Sequence, residues 1–183
     1  MNEEIKNKAG KVQQDYYTNQ MNIALFADVK KILRTGSTKD AVWLFDNAGS
    51  SKGNGSMELA SWCKQGTVVN WLVYALDMER RVDGTWPPVP TIKNIVFLDA
   101  DSGNAAQATP FNELKIFGGP DNIRSINTPA YNYWAGNVSM DIAEGNYPYR
   151  LVIGIEDKET GILRCYNVER ASLQIVAAER QIG

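Results

Sequence analysis

The sequence contains no histidine in its 183 residues. Imidazole is the commonest general base near neutral pH and a frequent zinc ligand. Its absence excludes the serine and cysteine triads that depend on it, and Cys/His zinc sites as well. Carboxylate or lysine chemistry would remain available, but no residue stands in a recognisable nucleophile setting. We therefore expect a protein that is not an enzyme.

Charge clusters and long apolar runs are missing too. The 19 basic and 21 acidic residues nearly cancel and are scattered, whereas nucleic-acid binding needs a clustered basic face. No run approaches the roughly 18 apolar residues of a membrane-spanning helix. The N-terminus also lacks the apolar core of about 7–15 residues that marks a signal peptide. We expect a soluble, cytoplasmic protein that binds neither nucleic acid nor a membrane.

Cysteine is scarce, with only Cys63 and Cys165, each in an apolar-rich segment. The favoured interpretation is two buried, unbonded thiols in a reducing compartment. A disulfide stays open as the alternative, provided that the two strands carrying the cysteines are neighbours.

Residues 40–77 carry the strongest signal for secondary structure. Short runs rich in Val, Trp, Phe and Tyr flank a loop rich in Gly, Ser and Asn, which is typical of strands. Ala41–Phe45 is apolar on both faces, which predicts a strand covered on both sides. Thr67–Leu76 predicts the longest strand of this stretch, with Trp71 on its core face. The tryptophans of this stretch, including Trp43 and Trp62, are interpreted as core residues.

The rest of the chain extends the same pattern. Residues 1–20 predict a flexible or helical N-terminal arm, and residues 21–183 a single domain. A single helical turn is expected near Ile32, closed by Gly36. Residues 99–130 look like a long loop with one short apolar run. Four successive C-terminal strands joined by turns are expected at Tyr131–Ile142, Tyr147–Ile155, Ile162–Val168 and Ser172–Ala177. The second of these alternates cleanly, with the core-facing positions expected at Tyr147, Tyr149, Leu151, Ile153 and Ile155. The fold class is therefore an all-β antiparallel sandwich of about eight strands with little helix, in Greek-key or jelly-roll order.

Two groups of motifs resemble a known family. The first is KKILRTGSTKDAVWLFDNAGS, followed by a short strand with Cys63 and by Gly66-Thr67-Val68-Val69-Asn70-Trp71. The second is Tyr133-Trp134-Ala135-Gly136-Asn137-Val138, followed by Gly145-Asn146-Tyr147-Pro148-Tyr149. In order and spacing these resemble the AidA/PixA inclusion-body protein family of bacteria, over roughly residues 21–176.

The resemblance implies a protein that accumulates in cytoplasmic, often crystalline inclusions. It brings no catalytic residues, and the methionine richness of some family members is absent, since this chain has five Met. The first hypothesis is therefore a non-enzymatic protein whose partner is itself, in oligomers or ordered assemblies. Near-zero net charge does little to oppose such association.

A second hypothesis is a lectin-like module that binds a carbohydrate or another small ligand. Aromatic rings stack on the apolar faces of sugars while amides bind hydroxyls, and the chain has both residue types close together in sequence. Core packing explains most of these aromatics equally well. The candidate ligand-binding residues are Trp86, Asp121, Asn122, Asn132, Tyr133 and Trp134.

A calcium-assisted variant of this hypothesis rests on the sequence DADSGN. Asp99, Asp101 and Asn104 supply oxygen donors that a hard cation such as calcium prefers. The segment lacks the spacing and the closing glutamate of an EF-hand loop, and its residues are ordinary turn formers. A plain turn without a cofactor is the favoured interpretation.

Overall fold

A computed structural model describes residues 20–77, 79–80, 82–119, 121, 131–157 and 160–178. The predicted N-terminal arm lies outside the described residues except for Gln20. The described residues form nine strands and one short helix, which confirms the all-β class. In chain order the elements are β1 Gln20–Ala27, α1 Val29–Thr35, β2 Val42–Asp46, β3 Ala60–Lys64, β4 Val68–Ala75, β5 Thr91–Phe97, β6 Phe111–Gly118, β7 Asn132–Val138, β8 Gly145–Asp157 and β9 Ile162–Val176.

The strands form two sheets that face each other as a sandwich. One sheet has five strands in the order β2-β1-β4-β7-β6, and the other has four in the order β3-β9-β8-β5. Most pairs are antiparallel, as expected, but β1 pairs with β4 and β3 with β9 in parallel. Parallel neighbours need a long crossover. The segment from β1 to β4 supplies one, since it contains α1 and two further strands.

Helix α1 ends at Gly36, as the sequence predicts, but it has seven residues where a single turn was expected, and its start after Asp28 was not predicted. The Asp28 side chain accepts a hydrogen bond from the Lys31 backbone N–H at 2.9 Å, which caps the first turn. Gly36 adopts a left-handed conformation with φ of 69° and donates its N–H to the Ile32 carbonyl. A side chain at this position would strain that backbone, so glycine ends the helix.

The core lies between the two sheets. Trp71 of β4 is fully buried and contacts the rings of Phe111 and Tyr149 edge-on. Strand β8 contributes alternate residues to the same layer, and the predicted alternation is confirmed, since Tyr149, Leu151, Ile153 and Ile155 are all buried. These side chains hold the sheets together, because buried apolar area is the main stabilising term in folding.

Strand β2 differs from its prediction. Val42 and Leu44 are buried, but Trp43 is only half-buried and Phe45 is 43% exposed. The expectation that both faces of Ala41–Phe45 are covered is therefore wrong. Strand β2 lies at the edge of its sheet, and the second sheet covers only its inner face. Trp43 and Trp62 are likewise not fully buried, unlike Trp71.

Two further strand predictions need correction. The region 99–130 contains β6, an eight-residue strand, where the sequence predicted mainly loop. The two C-terminal strands predicted on either side of Glu169-Arg170 are one continuous strand, β9. Its register against β8 shifts at this point, and Arg170 has a φ of 78°. Glu169-Arg170 is thus a β-bulge, which bends a strand without ending it.

The cysteines are both unbonded. Cys63 is buried on β3, as expected, but Cys165 on β9 is exposed. The two strands are neighbours, yet Cys63 pairs in register with Ile175, which is ten residues from Cys165. At about 3.3 Å per residue the thiols lie roughly 30 Å apart, and that separation excludes an intramolecular disulfide.

None of the described helical residues forms a span long and apolar enough to cross a membrane.

Candidate functional site

The outer face of the five-stranded sheet carries an aromatic cluster where three strands meet. Phe26 of β1 lies in register with Trp43 of β2 on one side and Tyr74 of β4 on the other. Its ring stacks on Tyr74 at 5.4 Å and meets Phe45 edge-on at 5.7 Å between centroids. The inward neighbours on each strand are buried, so strand alternation places these rings on the solvent side.

Four side chains on this face form an open apolar surface. Phe26, Trp43, Phe45 and Leu76 line a shallow depression of about 570 Å³, and we call them the apolar patch. Phe45 is 43% and Leu76 is 53% exposed. These four side chains are contiguous, in contrast to the singly exposed apolar residues that are normal on protein surfaces.

Polar residues lie on the same sheet face at its other end. Asn70 of β4 donates a side-chain hydrogen bond to the Asn22 side chain of β1 at 2.9 Å. The Asn22 backbone N–H in turn donates to the Asn47 side chain at 2.8 Å. An apolar centre beside a polar margin is the usual composition of a protein–protein interface.

The aromatic cluster continues across the sheet toward β6. Tyr74 meets Tyr131 edge-on at 5.9 Å, and Phe117 of β6 stacks on Tyr133 of β7 at 5.7 Å. The Lys115 ammonium lies 5.3 Å from the Phe117 ring centroid, within cation–π range. Burial, and then the neighbouring Tyr131, raise the pKa of Tyr74. This tyrosine therefore stays neutral at physiological pH.

A second depression of about 530 Å³ lies where the loop after α1 approaches the bulge of β9. The Thr38 hydroxyl donates to the Asn167 carbonyl at 2.7 Å, and Arg170 forms an ion pair with Glu58 at 2.8 Å. The first contact joins the loop before β2 to the other sheet, and the second joins the loop before β3 to β9. Arg170 and Glu58 neutralise each other on exposed side chains, so we assign this cleft a structural role. Its lining residues are Ser37, Thr38, Lys39, Asp40, Val42, Trp43, Gly55, Ser56, Met57, Glu58, Asn167, Glu169 and Arg170.

The residues predicted to bind a carbohydrate do not share one surface. Tyr133 and Trp134 are consecutive on β7 and so point to opposite faces of the sheet. Tyr133 faces outward against Phe117, whereas the Trp134 indole N–H points inward and donates to the Ile92 carbonyl at 2.9 Å.

The other candidate residues are dispersed along the chain. Trp86 lies in the connection between β4 and β5 and is 55% exposed. Asp121 and Asn132 are exposed, and Asn122 lies outside the described residues. The described candidate residues thus lie at separate places in the fold, and carbohydrate binding by them stays a prediction.

The DADSGN segment forms a hydrogen-bonded turn. The Asp99 carboxylate accepts the backbone N–H groups of Asp101 and Ser102, at 3.2 and 2.8 Å. These bonds, chiefly those from Ser102, lower the pKa of Asp99. The Asp99 N–H donates to the carbonyl of Asn104 at 2.8 Å.

Calcium binding at Asp99, Asp101 and Asn104 stays a prediction. Within the part of the chain that the structure describes, no cluster of three or more His, Cys, Asp or Glu residues could hold a metal ion.

The apolar patch was missed because the outward residues of β2 were read as core. One signal in the sequence could have identified it. A short run that is apolar on both faces must have cover on both sides or leave one face exposed. A chain with two layers of strands and little helix has no third layer to supply that cover.

Comparison with known proteins supports the fold. A family model described as a domain of unknown function, DUF8788, matches residues 19–85, and no curated protein sequence matches the chain. In total 11 chains of solved structures match. One is the crystal structure of an inclusion body protein (PixA) from Burkholderia cenocepacia J2315, with a TM-score of 0.56 and 10% identity. The alignment covers 87% of this chain and 96% of that one. At this identity the likeness concerns the fold alone.

Proposed function

We propose that this chain is a non-enzymatic protein that self-associates into oligomers or ordered cytoplasmic assemblies. The observation that carries the proposal is the apolar patch of Phe26, Trp43, Phe45 and Leu76 on the outer sheet face. Two copies that face each other through this patch would remove its apolar area from water, which is the main driving force of association. The asparagines beside it would form the polar rim.

Overall charge and the structural neighbour support the proposal. The formal net charge is −2, so electrostatic repulsion between copies is weak. The neighbour of known structure is described as an inclusion body protein, and accumulation in a dense body requires association.

A non-enzymatic role fits the chemistry of the buried nucleophile. Burial, and then the nearby Asp46 charge, raise the pKa of the Cys63 thiol to about 12. A nucleophilic cysteine needs its pKa lowered so that the thiolate is present near neutral pH. Cys63 therefore behaves as a small core residue.

The test is sedimentation velocity over a concentration series of the wild-type protein and the variants Phe45→Glu and Leu76→Glu. Each variant places a charge in the proposed interface, and desolvating an unpaired charge is costly. We expect each to weaken association by tenfold or more, equivalent to about 1.4 kcal/mol. Circular dichroism would verify that the exposed positions tolerate the change without unfolding.

Ile162→Glu is the matched control. Ile162 is 54% exposed and begins β9 in the other sheet, so this variant adds the same charge away from the patch. Its association should equal that of the wild type. A wild-type protein that stays monomeric at every concentration would refute the proposed function.

A further inference from the structure

Two of the four sheet edges are covered by neighbouring loops. Along β2, the Leu44 N–H donates to the Ser56 carbonyl at 3.1 Å and its carbonyl accepts from Gly55 at 2.8 Å. Along β3, Ala60 exchanges two backbone hydrogen bonds with Lys52, at 2.8 and 3.1 Å. Covered edges of this kind cannot pair with a strand of another molecule.

The edge at β5 is interrupted. Its register against β8 shifts between Ile92 and Asn94, and its last carbonyl, that of Phe97, accepts the Ala106 N–H at 2.8 Å. The capped end disfavours the addition of a strand. The register shift does not by itself set β5 apart, since β6 also has one, between Phe111 and Glu113.

Among the described residues, none covers the outer edge of strand β6. Gly119, directly after β6, donates its N–H to the Tyr131 carbonyl at 3.1 Å. Hydrogen-bonded pairs alternate along an antiparallel ladder, so the odd-numbered residues of β6 bond to β7. The backbone groups of Leu114 and Ile116 then point away from the sheet. No other described segment of the chain donates to them or accepts from them.

We infer that β6 is a second self-association site, where β6 of another copy adds in antiparallel orientation to give a sheet continuous across two molecules. This inference rests on the proposed function and names a surface for it. The two-fold axis passes by Leu114, so that each Leu114 exchanges its N–H and C=O with its counterpart. The paired segment runs from Asn112 to Ile116 in each copy.

The charges on β6 select this register. Glu113 and Lys115 lie on the same sheet face, two residues apart, with side chains 68% and 51% exposed. With the axis at Leu114, each Glu113 lies directly opposite Lys115 of the other copy, which gives two cross-strand ion pairs. Opposite charges in this position stabilise a strand pair, and like charges destabilise it.

Shifting the axis by one residue removes this complementarity. Centred on Glu113, the pairing sets the two Glu113 carboxylates against each other, and centred on Lys115 it opposes the two ammonium groups. Each copy already joins Lys115 to its own Glu113 at 2.7 Å, but an exposed pair of this kind contributes little. Replacing this internal ion pair with an ion pair to the second copy therefore costs little free energy.

A second interface changes what the chain can build. One two-fold interface ends at a dimer, whereas two different two-fold interfaces on one molecule let an assembly grow beyond it. The apolar patch and the β6 edge together would supply the two contacts that an ordered assembly needs.

The experiment is sedimentation velocity on the full chain with Lys115→Glu, Glu113→Lys and the double swap Glu113→Lys/Lys115→Glu. Each single variant puts like charges opposite each other twice per interface, so we expect about tenfold weaker association. The double swap restores opposite charges in the same register, so its association should return to within about threefold of wild type.

A backbone variant tests the edge without changing charge. Ile116→Pro removes an N–H that points away from the sheet, so the β6–β7 ladder keeps its bonds and proline is tolerated at such an edge. We expect this variant to lose pairing at β6, with circular dichroism unchanged.

The outcomes separate this inference from the proposed function. If the wild type associates and Phe45→Glu weakens it, but the β6 variants leave it unchanged, self-association stands and the β6 pairing is overturned. Weakening by the single charge variants without recovery in the double swap would also overturn it. A strictly monomeric wild type would refute both proposals.

Discussion

The two faces of the five-stranded sheet have similar residues and opposite environments. On the inner face, Trp71 is fully buried between Phe111 and Tyr149. On the outer face, Phe26 and Phe45 form a comparable edge-on pair, yet Phe45 is 43% exposed. Aromatic contact is therefore not by itself a sign of core. The inner rings stabilise the fold, and the outer rings are available for a partner.

The sharpest test of this comparison removes one ring from each face. Trp71→Ala should lower the free energy of unfolding by about 3–5 kcal/mol, because it leaves a large cavity in a packed layer. Phe45→Ala should cost about 1 kcal/mol, since its side chain is only partly removed from water on folding. Urea unfolding followed by circular dichroism measures both.

The association of these two variants should show the reverse order. Under conditions where both are folded, Phe45→Ala should weaken self-association, and Trp71→Ala should leave it near the wild-type level. Equal losses of stability in the two variants would mean that the faces do not differ as described.

The sequence predicted the inner face well. Alternation in β8 identified its buried residues, because a strand with one strongly apolar face repeats every two residues. Gly36 ends helix α1 by local chemistry that needs no tertiary contact. Such features depend on neighbours in sequence, which is why they could be read directly.

The outer face and the sheet order depended on contacts between distant residues. Strand β2 has the same apolar character on both sides, so its sequence alone does not show which side the second sheet covers. Strand β6 was obscured by the Gly- and Asn-rich residues around it. The parallel pairing of β1 with β4 follows from a crossover that local patterns do not encode.

Buried and open positions should also differ in how they tolerate an added methyl group. Gly136 of β7 lies beside β6 in the same sheet. A Cβ added there would lie 2.7 Å from the Glu113 carbonyl oxygen and 2.8 Å from a Phe111 ring carbon. Since backbone cannot yield easily, Gly136→Ala should destabilise the protein by about 1–3 kcal/mol.

Gly49→Ala is the control for this substitution. Nothing lies within 4 Å of a Cβ added at Gly49, so its midpoint of thermal unfolding should remain close to that of the wild type. If the two alanine variants unfolded at the same temperature, this would contradict the close contact between β6 and β7 described at Gly136.

The smallest expected effect concerns the two cysteines, which repeat the contrast between buried and exposed positions in the four-stranded sheet. Burial raises the pKa of Cys63 from 9.0 to about 12 in the folded protein. Between these values the unfolded chain loses the thiol proton and the folded chain keeps it. The unfolded state then binds fewer protons, so stability falls as the pH rises through this window. Below pH 9 the thiol makes no pH-dependent contribution.

The loss attributable to Cys63 should reach about 1 kcal/mol at pH 10. Other groups also titrate there, so the informative quantity is the difference in slope between wild type and Cys63→Ala in urea unfolding at pH 8 and pH 10. Cys63→Ala should lose less stability over this interval than the wild type does. Cys165→Ser, which removes the exposed cysteine, is the control variant. A steeper pH dependence in Cys63→Ala than in the wild type would mean that the thiol is ionised in the folded protein, contrary to its buried position.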